Sequence, residues 1–471
     1  MVEQDGGGLK RIGTGEPRLD RIMNGGFPSN SLNIVMGPPG TGKTILVQQI
    51  LFQNVGEDRP VIYLSTLSEP IAKVVTYLQQ FGFYDESKMM DRVIYEDVGA
   101  ALLEDGSAAL LDRIRELIRT REPTILVVDS YKAIHDLARD EFEMRQLSAQ
   151  LGRLVSAYDV TTFLVGEYGE TAVSRYPEFA VADGIVQMIR EPADNRENRH
   201  LRVLKLRGSN YLQGSHAFSI SHDGIHVYPR LVTPLAPERY GSSGEKLSTG
   251  VEGLDALLQG GAWRGTSTIV LGPSGAGKTT LGLLFAIQGA RTRQRSLYLN
   301  FQENPRQLQK TADSLDPALD EHLDRTLFFL YRSPVEMQID AVVVELFEMV
   351  DSQNIERVVI DALGDLELAA ASRERFHDYL YSVVQHLAAR GVTSFLLLEG
   401  HEDLEYANRY QDRRFSTLSD AIIALGYAGA KGPNPVRTLR VVKARNTAHA
   451  LARQQMDIHH DGVRLSKLET P

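Results

Sequence analysis

The sequence predicts an α/β protein of two tandem domains, each a mainly parallel sheet flanked by helices with an antiparallel extension. Three observations carry this. The chain is written twice: GPPGTGKT at 37–44 returns as GPSGAGKT at 272–279, and GTGEPRLDRIMNGG at 13–26 returns as STGVEGLDALLQGG at 248–261, both at an offset of about 235 residues. A period that long is a duplicated domain, not a solenoid unit. Short apolar runs such as SLNIVMG, PVIYLST, TILVVDS and TTFLVGEY have the continuous hydrophobicity of strands buried on both faces, and they alternate with segments of helical period. Towards the end of the first half come HLRVLKLRG and AFSISHDGIHVYP, shorter alternating stretches of the kind that extend a sheet antiparallel.

Taken in order, residues 1–10 are Gly-rich and are expected to form a flexible lead. The first domain is expected over 11–232, a linker over 233–247 and the second domain over 248–471. The seam is placed in TPLAPERYGSSGEKLS (233–248), which is rich in Pro, Gly and Ser. After the strand SLNIVMG a helix should start at Lys43. EPIAKVVTYLQQFG reads as helix, and ALLDRIRELIRT sets Leu110, Ile114 and Leu117 on one helical face. EFEMRQLSAQLGRLVSAY is helical, between the strands TILVVDS and TTFLVGEY. In the second half RVVIDAL (357–363) repeats TILVVDS (124–130), and KARNTA (443–448) repeats KLRGSN (205–210).

The chain has 471 residues, 42% hydrophobic and 24% charged, which suits globular domains with real cores. A net charge of −10 argues against a general polyanion binder, and the basic helix face RIRELIRTRE reads as solvated. The absence of cysteine excludes disulfides, thiolate metal sites and thiol nucleophiles. The start MVEQDGGGLK has no basic-then-apolar signal, and no apolar run approaches a membrane span, so a cytoplasmic location without membrane or nucleic-acid partners is expected. The histidines show no repeated metal spacing.

G-x-x-x-x-G-K-[ST] occurs once per half, after a predicted strand and before a predicted helix, which is the context that gives the motif meaning. The glycines let backbone N–H groups turn in around phosphate oxygens, and the helix N-terminus adds positive charge. Candidate ATP-binding residues are Gly37, Gly40, Thr41, Gly42, Lys43, Thr44 and Ile45, and in the second half Gly272, Ser274, Gly275, Ala276, Gly277, Lys278, Thr279 and Thr280. Lys43 and Lys278 are assigned to the β/γ-phosphates, and Thr44 and Thr279 to Mg²⁺. Asp129 and Asp361, each ending an apolar strand, are the expected acidic partners of that ion. Glu167 and Glu399, after FLVG and FLLL, are candidate sensors at the γ-phosphate edge of the sheet.

At this point the chain resembles the KaiC family of double-domain RecA-like P-loop ATPases, from about residue 11 to 465. The more specific segments are SRYPEFAVADGIVQMIR (174–190) and KLRGSNYLQGSHAFSISHDGIHVYP (205–229). The resemblance implies two RecA-like P-loop NTPase domains that use ATP and Mg²⁺, and six chains in an ATP-dependent double ring. A K-x-R hairpin would reach the neighbour's nucleotide: Lys205, Leu206, Arg207 and Ser209 in the first domain, Lys443, Arg445, Thr447 and His449 in the second. In KARN the glycine kept at Gly208 is lost.

The family carries two glutamates after the second strand, one of which polarises the attacking water or hydroxyl. YLNFQENP (298–305) has Gln302 and Glu303, whereas YLSTLSEP (63–70) has Leu67 and Ser68. Glu303 is therefore the expected catalytic carboxylate. Glu69 is the alternative in the first half, one residue along an extended segment and so facing the other way unless the turn is rebuilt. FSTLSDAII (415–423) places Ser416 and Thr417 where the family is autophosphorylated, so they are candidate phosphosites, with a polar strand start as the competing reading. The chain ends at Pro471, just after its last predicted strand, and the tail with which clock members bind a regulator is expected to be missing, which argues against a place in a circadian oscillator.

The leading expectation is a hexameric signalling ATPase with an unnamed protein partner and Ser/Thr autokinase activity in its second ring. A RecA-type DNA-binding or recombination accessory would show salt-dependent DNA binding. A nucleotide-gated scaffold would show negligible turnover.

Overall fold

The computed structural model describes residues 9–67, 69–89, 91–193, 196–233, 244–335, 337–370, 373–400, 417–429 and 435–468. The chain divides into two compact units, Met1–Arg230 and Leu231–Pro471. Residues 1–8 of the expected lead and 234–243 of the expected linker lie outside the described residues.

In the first unit the strands are β1 (Leu32–Met36), β2 (Val61–Ser65), β3 (Val93–Asp97), β4 (Ile125–Asp129), β5 (Thr161–Gly166), β6 (Gly184–Ala193), β7 (Arg196–Leu206), β8 (His216–Ser221) and β9 (Gly224–Tyr228). They form one nine-stranded sheet in the order β9-β8-β7-β6-β1-β5-β4-β2-β3. From β3 to β6 every pairing is parallel; β7, β8 and β9 add on antiparallel. Every residue of β1, β2, β4 and β5 is buried, as their unbroken apolar runs require of strands covered on both faces. Leu32, Ile34 and Met36 pack on helices α2 (Gly99–Arg121) and α3 (Glu141–Ala157), whose Leu110, Ile114, Leu117, Leu147 and Leu151 are buried. Val35 faces helix α1 (Lys43–Asn54) on the other side.

The helix expected over 69–82 is shorter, Ile71–Leu78. The chain leaves it early because Phe81 stacks on Phe83 with ring centroids 5.3 Å apart, and the Gly82 N–H donates to His222 O at 2.7 Å. The bond to His222 is a tertiary contact that no local propensity encodes.

The second unit repeats the plan: β10 (Ser267–Gly272), β11 (Ser296–Asn300), β12 (Leu327–Tyr331), β13 (Arg357–Asp361), β14 (Thr393–Glu399), β15 (Ala421–Ala428), β16 (Val436–Ala444), β17 (Gln454–His459) and β18 (Gly462–Lys467). The order β12-β11-β13-β14-β10-β15-β16-β17-β18 is the first sheet's, strand for strand. Helix α4 (Lys278–Arg291) follows β10 as α1 follows β1. Arg357 has no counterpart in the first unit, where the matching residue is Ile125. It is fully buried, its guanidinium donating to Gln294 Oε1, Ser248 O and Phe285 O, and it lies over the Phe285 ring. Gly289 makes the room: a Cβ there would stand 2.6 Å from Arg357 Cδ.

Candidate active sites

Each phosphate loop runs from the end of a central strand into a helix. Gly37 leaves β1 at φ 152°, where an added Cβ would stand 2.1 Å from Met188 O, so only glycine passes. Gly42 and Gly277, at φ 97° and 103°, turn the loops into α1 and α4. The helix expected at Lys43 starts there. Thr41 Oγ1 and Lys43 Nζ donate to Pro38 O at 2.9 and 2.8 Å. Lys278 Nζ donates to Gly272 O and Pro273 O, both at 2.9 Å. Gly40, Ser274 and Gly275 are exposed at the loop tips, Ala276 is fully buried beneath its loop, and Ile45 and Thr280 lie in the first turns of α1 and α4.

Parallel pairing brings the acidic residues to the same sheet edge. Asp129 pairs with Val165, Met36 with Gly166, and Gly272 with Glu399. Thr44 Oγ1 donates to Asp129 Oδ2 at 2.8 Å, and Thr279 Oγ1 to Asp361 Oδ2 at 2.8 Å. The same oxygens accept from Tyr63 at 2.8 Å and Tyr298 at 2.7 Å. These tyrosines were missed by motif reading, although the repeat carries them as YL at 63 and 298. Burial raises the carboxyls of Asp129 and Asp361, while the Tyr and Thr hydroxyls and the loop lysine pull them back. Burial lowers Lys43 and Lys278, against which Glu167 and Glu399 act as the larger opposing charges, Asp129 and Asp361 as the smaller.

A hydroxyl and a carboxylate within 3 Å, all-oxygen and facing a phosphate loop, suit a small hard cation that takes its remaining ligands from water and phosphate. Among the described residues no group of three or more His, Cys, Asp or Glu side chains is placed to hold a metal ion.

The raised aspartates have a consequence for the nucleotide-free protein. Between the ordinary aspartate value and the raised one, the folded state holds more protons than the unfolded state, so stability falls as pH rises through that window. Asp129→Asn removes this term. Relative to wild type, the variant should gain thermal stability as pH rises through that window, about 1.4 kcal/mol for each unit by which the carboxyl is raised. Melting curves of both proteins across pH check it.

The first cleft has a volume of ≈ 960 Å³ and holds Lys43, Thr44, Ile45, Glu69, Asp129 and Glu167. Its lining also includes Val74, Tyr77, Leu78, Phe81 and Ile220. Ser68 lies outside the described residues. Glu69 is about half exposed and pairs with Lys73 at 3.3 Å. Glu303 is held differently. Asn300 grips its backbone, Oδ1 accepting from the Glu303 N–H at 3.2 Å and Nδ2 donating to Glu303 O at 2.6 Å. Burial, with Asp361 adding repulsion, raises its carboxyl.

The K-x-R residues sit at the opposite end of each sheet from the phosphate loop. Lys205 pairs with Ile185 and Leu206 with Gly184; Gly184 in turn pairs with Asn33 at the start of β1, whereas the loop leaves β1 at its end. Leu206 is buried. Lys205 Nζ donates to Phe179 O and Ala180 O, and Arg207 pairs with Asp183 at 3.2 Å while more than half exposed. Lys443 Nζ donates to Ser419 O at 2.6 Å, and Arg445 pairs with Asp420 at 3.5 Å. Each motif is fastened to a two-stranded ribbon near the start of its domain, Arg11–Ile12 with Phe27–Pro28 and Lys246–Leu247 with Ala262–Trp263: Arg11 donates to Ser209 Oγ at 2.8 Å, and Trp263 Nε1 to Thr447 Oγ1 at 3.0 Å. His449 Nδ1 lies 3.3 Å from Thr447 O. Ser416 lies outside the described residues; Thr417 is exposed and lines a ≈ 480 Å³ pocket with Trp263, Arg264, Asp420 and Arg445.

A family model described as "ATPase: KaiC" matches residues 12–232 and again 247–470. The chain belongs to the KaiC ATPase family. It is 28% identical over 97% of its length to "Circadian clock oscillator protein KaiC 1" of Synechocystis sp. (strain ATCC 27184 / PCC 6803 / Kazusa), covering 89% of that protein. It is 25% identical over 99% of its length to "Circadian clock protein KaiC3" of the same organism, covering 94%. It is also 28% identical to "Circadian clock oscillator protein KaiC" of Picosynechococcus sp. (strain ATCC 27264 / PCC 7002 / PR-6), over 97% of this chain and 89% of that one. The two KaiC matches coincide with the repeat read from the sequence, and the two mainly parallel sheets with antiparallel ends bear out the tandem RecA-like fold. Among the described residues no helix is long and apolar enough to cross a membrane.

Proposed function

We propose that the protein is an ATP-dependent ring ATPase in which both domains bind Mg·ATP and the second hydrolyses it. The observation that carries assembly is the separation of each K-x-R motif from its own phosphate loop by the length of the central strand. Cations at that end serve a nucleotide only if the loop belongs to another chain. A homohexameric double ring, as the family likeness implies, satisfies this in both domains at once.

Bound Mg²⁺ neutralises charge on the β- and γ-phosphate oxygens. Thr44 with Asp129, and Thr279 with Asp361, would hold it, the tyrosines fixing the carboxylate that faces it. Lys43 and Lys278 swing from the loop carbonyls to the phosphates. Glu303 orients the attacking water and takes its proton. Glu167 and Glu399 hold the lysines' charge at the sheet edge. Arg207 and Arg445 stabilise the γ-phosphate of the neighbour, so turnover depends on assembly.

The pocket shared by Thr417, Asp420 and Arg445 supports a second reading, autophosphorylation. A nucleotide presented to Arg445 by a neighbour would bring its γ-phosphate beside the Thr417 hydroxyl. A protein partner that reads the ring's state would complete a signalling role.

Light scattering on one sample with and without Mg·ATP, alongside phosphate release, tests assembly. Wild type should rise from monomer to a ring-sized species, because binding across an interface couples ligand affinity to oligomer stability. Lys43→Ala should weaken assembly more than it lowers turnover per assembled ring. A protein that remains monomeric at micromolar concentration with saturating Mg·ATP removes the trans roles of Arg207 and Arg445.

A further inference from the structure

In the second domain the residue before Glu303 is tied to a side chain outside every motif named so far. Gln302 Nε2 lies 3.0 Å from both carboxylate oxygens of Asp365 and donates to them. Asp365 stands on the short helix Leu363–Ala369 after β13 and is only 4% exposed. A carboxylate buried so deeply persists only with a committed partner.

The first domain has neither half of this pair. The repeat aligns Asp365 with Ala133 and Gln302 with Leu67, and both of those residues line the first cleft. The turns differ in the same sense. Asn300 Oδ1 accepts from the N–H groups of Gln302 and Glu303, both at 3.2 Å, and Nδ2 returns to Glu303 O. In the first domain, among the described residues, Ser65 Oγ donates across the turn to Glu69 O at 2.7 Å. The second turn is thus held from inside by Asn300 and from the helix by Asp365.

We propose that Asp365 is a positioning residue for hydrolysis: by clamping Gln302 it locks the turn that aims Glu303 at the γ-phosphate edge of the second site. Charge-assisted hydrogen bonds are stronger than neutral ones, and a base acts only within hydrogen-bond reach of the water it serves. The proposal rests on Glu303 as the water-orienting group.

The test uses the full chain, with phosphate release read as kcat and KM, fluorescent ATP-analogue binding, and light scattering. Asp365→Ala should lower kcat about 10–100-fold with KM, analogue affinity and assembly unchanged. Asp365→Asn keeps an acceptor for Gln302 and should recover most of that loss. Gln302→Glu sets carboxylate against carboxylate and should be as slow as Asp365→Ala. Adding Asp365→Asn to it restores a donor–acceptor pair and should restore kcat. The positioning role is overturned if Asp365→Ala keeps wild-type kcat, if it loses affinity and assembly in step with kcat, or if the double variant is no faster than Gln302→Glu. Glu303→Gln, run beside them, separates the two levels. If it hydrolyses ATP normally, the reading beneath the proposal falls and the proposal with it. If it is inactive while Asp365→Ala is active, the clamp alone falls.

Discussion

Glu303→Gln should lower ATP hydrolysis by about 10²–10⁴-fold, the usual contribution of a general base, with Mg·ATP binding and assembly intact. The amide keeps the size of the side chain and cannot take a proton. The fall should be nearly complete because the first half has Ser68 where the second has Glu303, and its neighbour Glu69 is about half exposed and paired with Lys73. On the proposed reading, the first site is a slow, structural nucleotide site that holds the ring. Glu69 does line the same cleft as Lys43, Thr44 and Asp129, which makes the competing outcome concrete. If Glu69→Gln abolishes phosphate release and Glu303→Gln does not, the active and passive domains are reversed. Phosphate release and analogue binding for both variants decide it.

Mixing two inactive variants should restore turnover. Arg445→Ala removes the finger, an effect of about 10³–10⁵-fold where such an arginine acts. Lys278→Ala removes the loop lysine of the same domain. Each alone should be nearly inactive in the second ring while the first-domain sites keep the assembly together. If Arg445 serves the neighbour's nucleotide, co-assembled rings contain some interfaces with an intact loop facing an intact arginine, about a quarter of them at equal mixing in a head-to-tail ring. Phosphate release should rise to about that fraction of wild type. A cis-acting Arg445 gives no recovery at any ratio, although light scattering shows mixed rings.

Much of the site was legible before any fold was known, because its chemistry is local. A phosphate loop is one strand end, one run of glycines and one helix start, all adjacent in sequence; the first helix begins at Lys43 as read, and the second, at Lys278, repeats it. Asp129 and Asp361 were readable because an acid at the end of a fully apolar run has few other places to go. Tyr63 and Tyr298 were not read, although the repeat displays them, since a tyrosine inside a strand looks like core until its hydroxyl is found on a carboxylate.

What the sequence by itself determined is the duplication, the alternation of strand and helix, and the residues of both loops, since each follows from periodicity and from groups joined by a few bonds. What only the tertiary structure decided is where distant segments meet. Register puts Lys205 and Arg207 at the start of β1 and the loop at its end, a separation invisible in a linear motif. The Arg357 cradle, the early end of the helix Ile71–Leu78 and the clamp of Gln302 on Asp365 join residues dozens of positions apart, or sheet edge to helix. Such contacts arise when burial forces a polar group to find a partner, and the partner is whichever residue the packed layers bring within 3 Å.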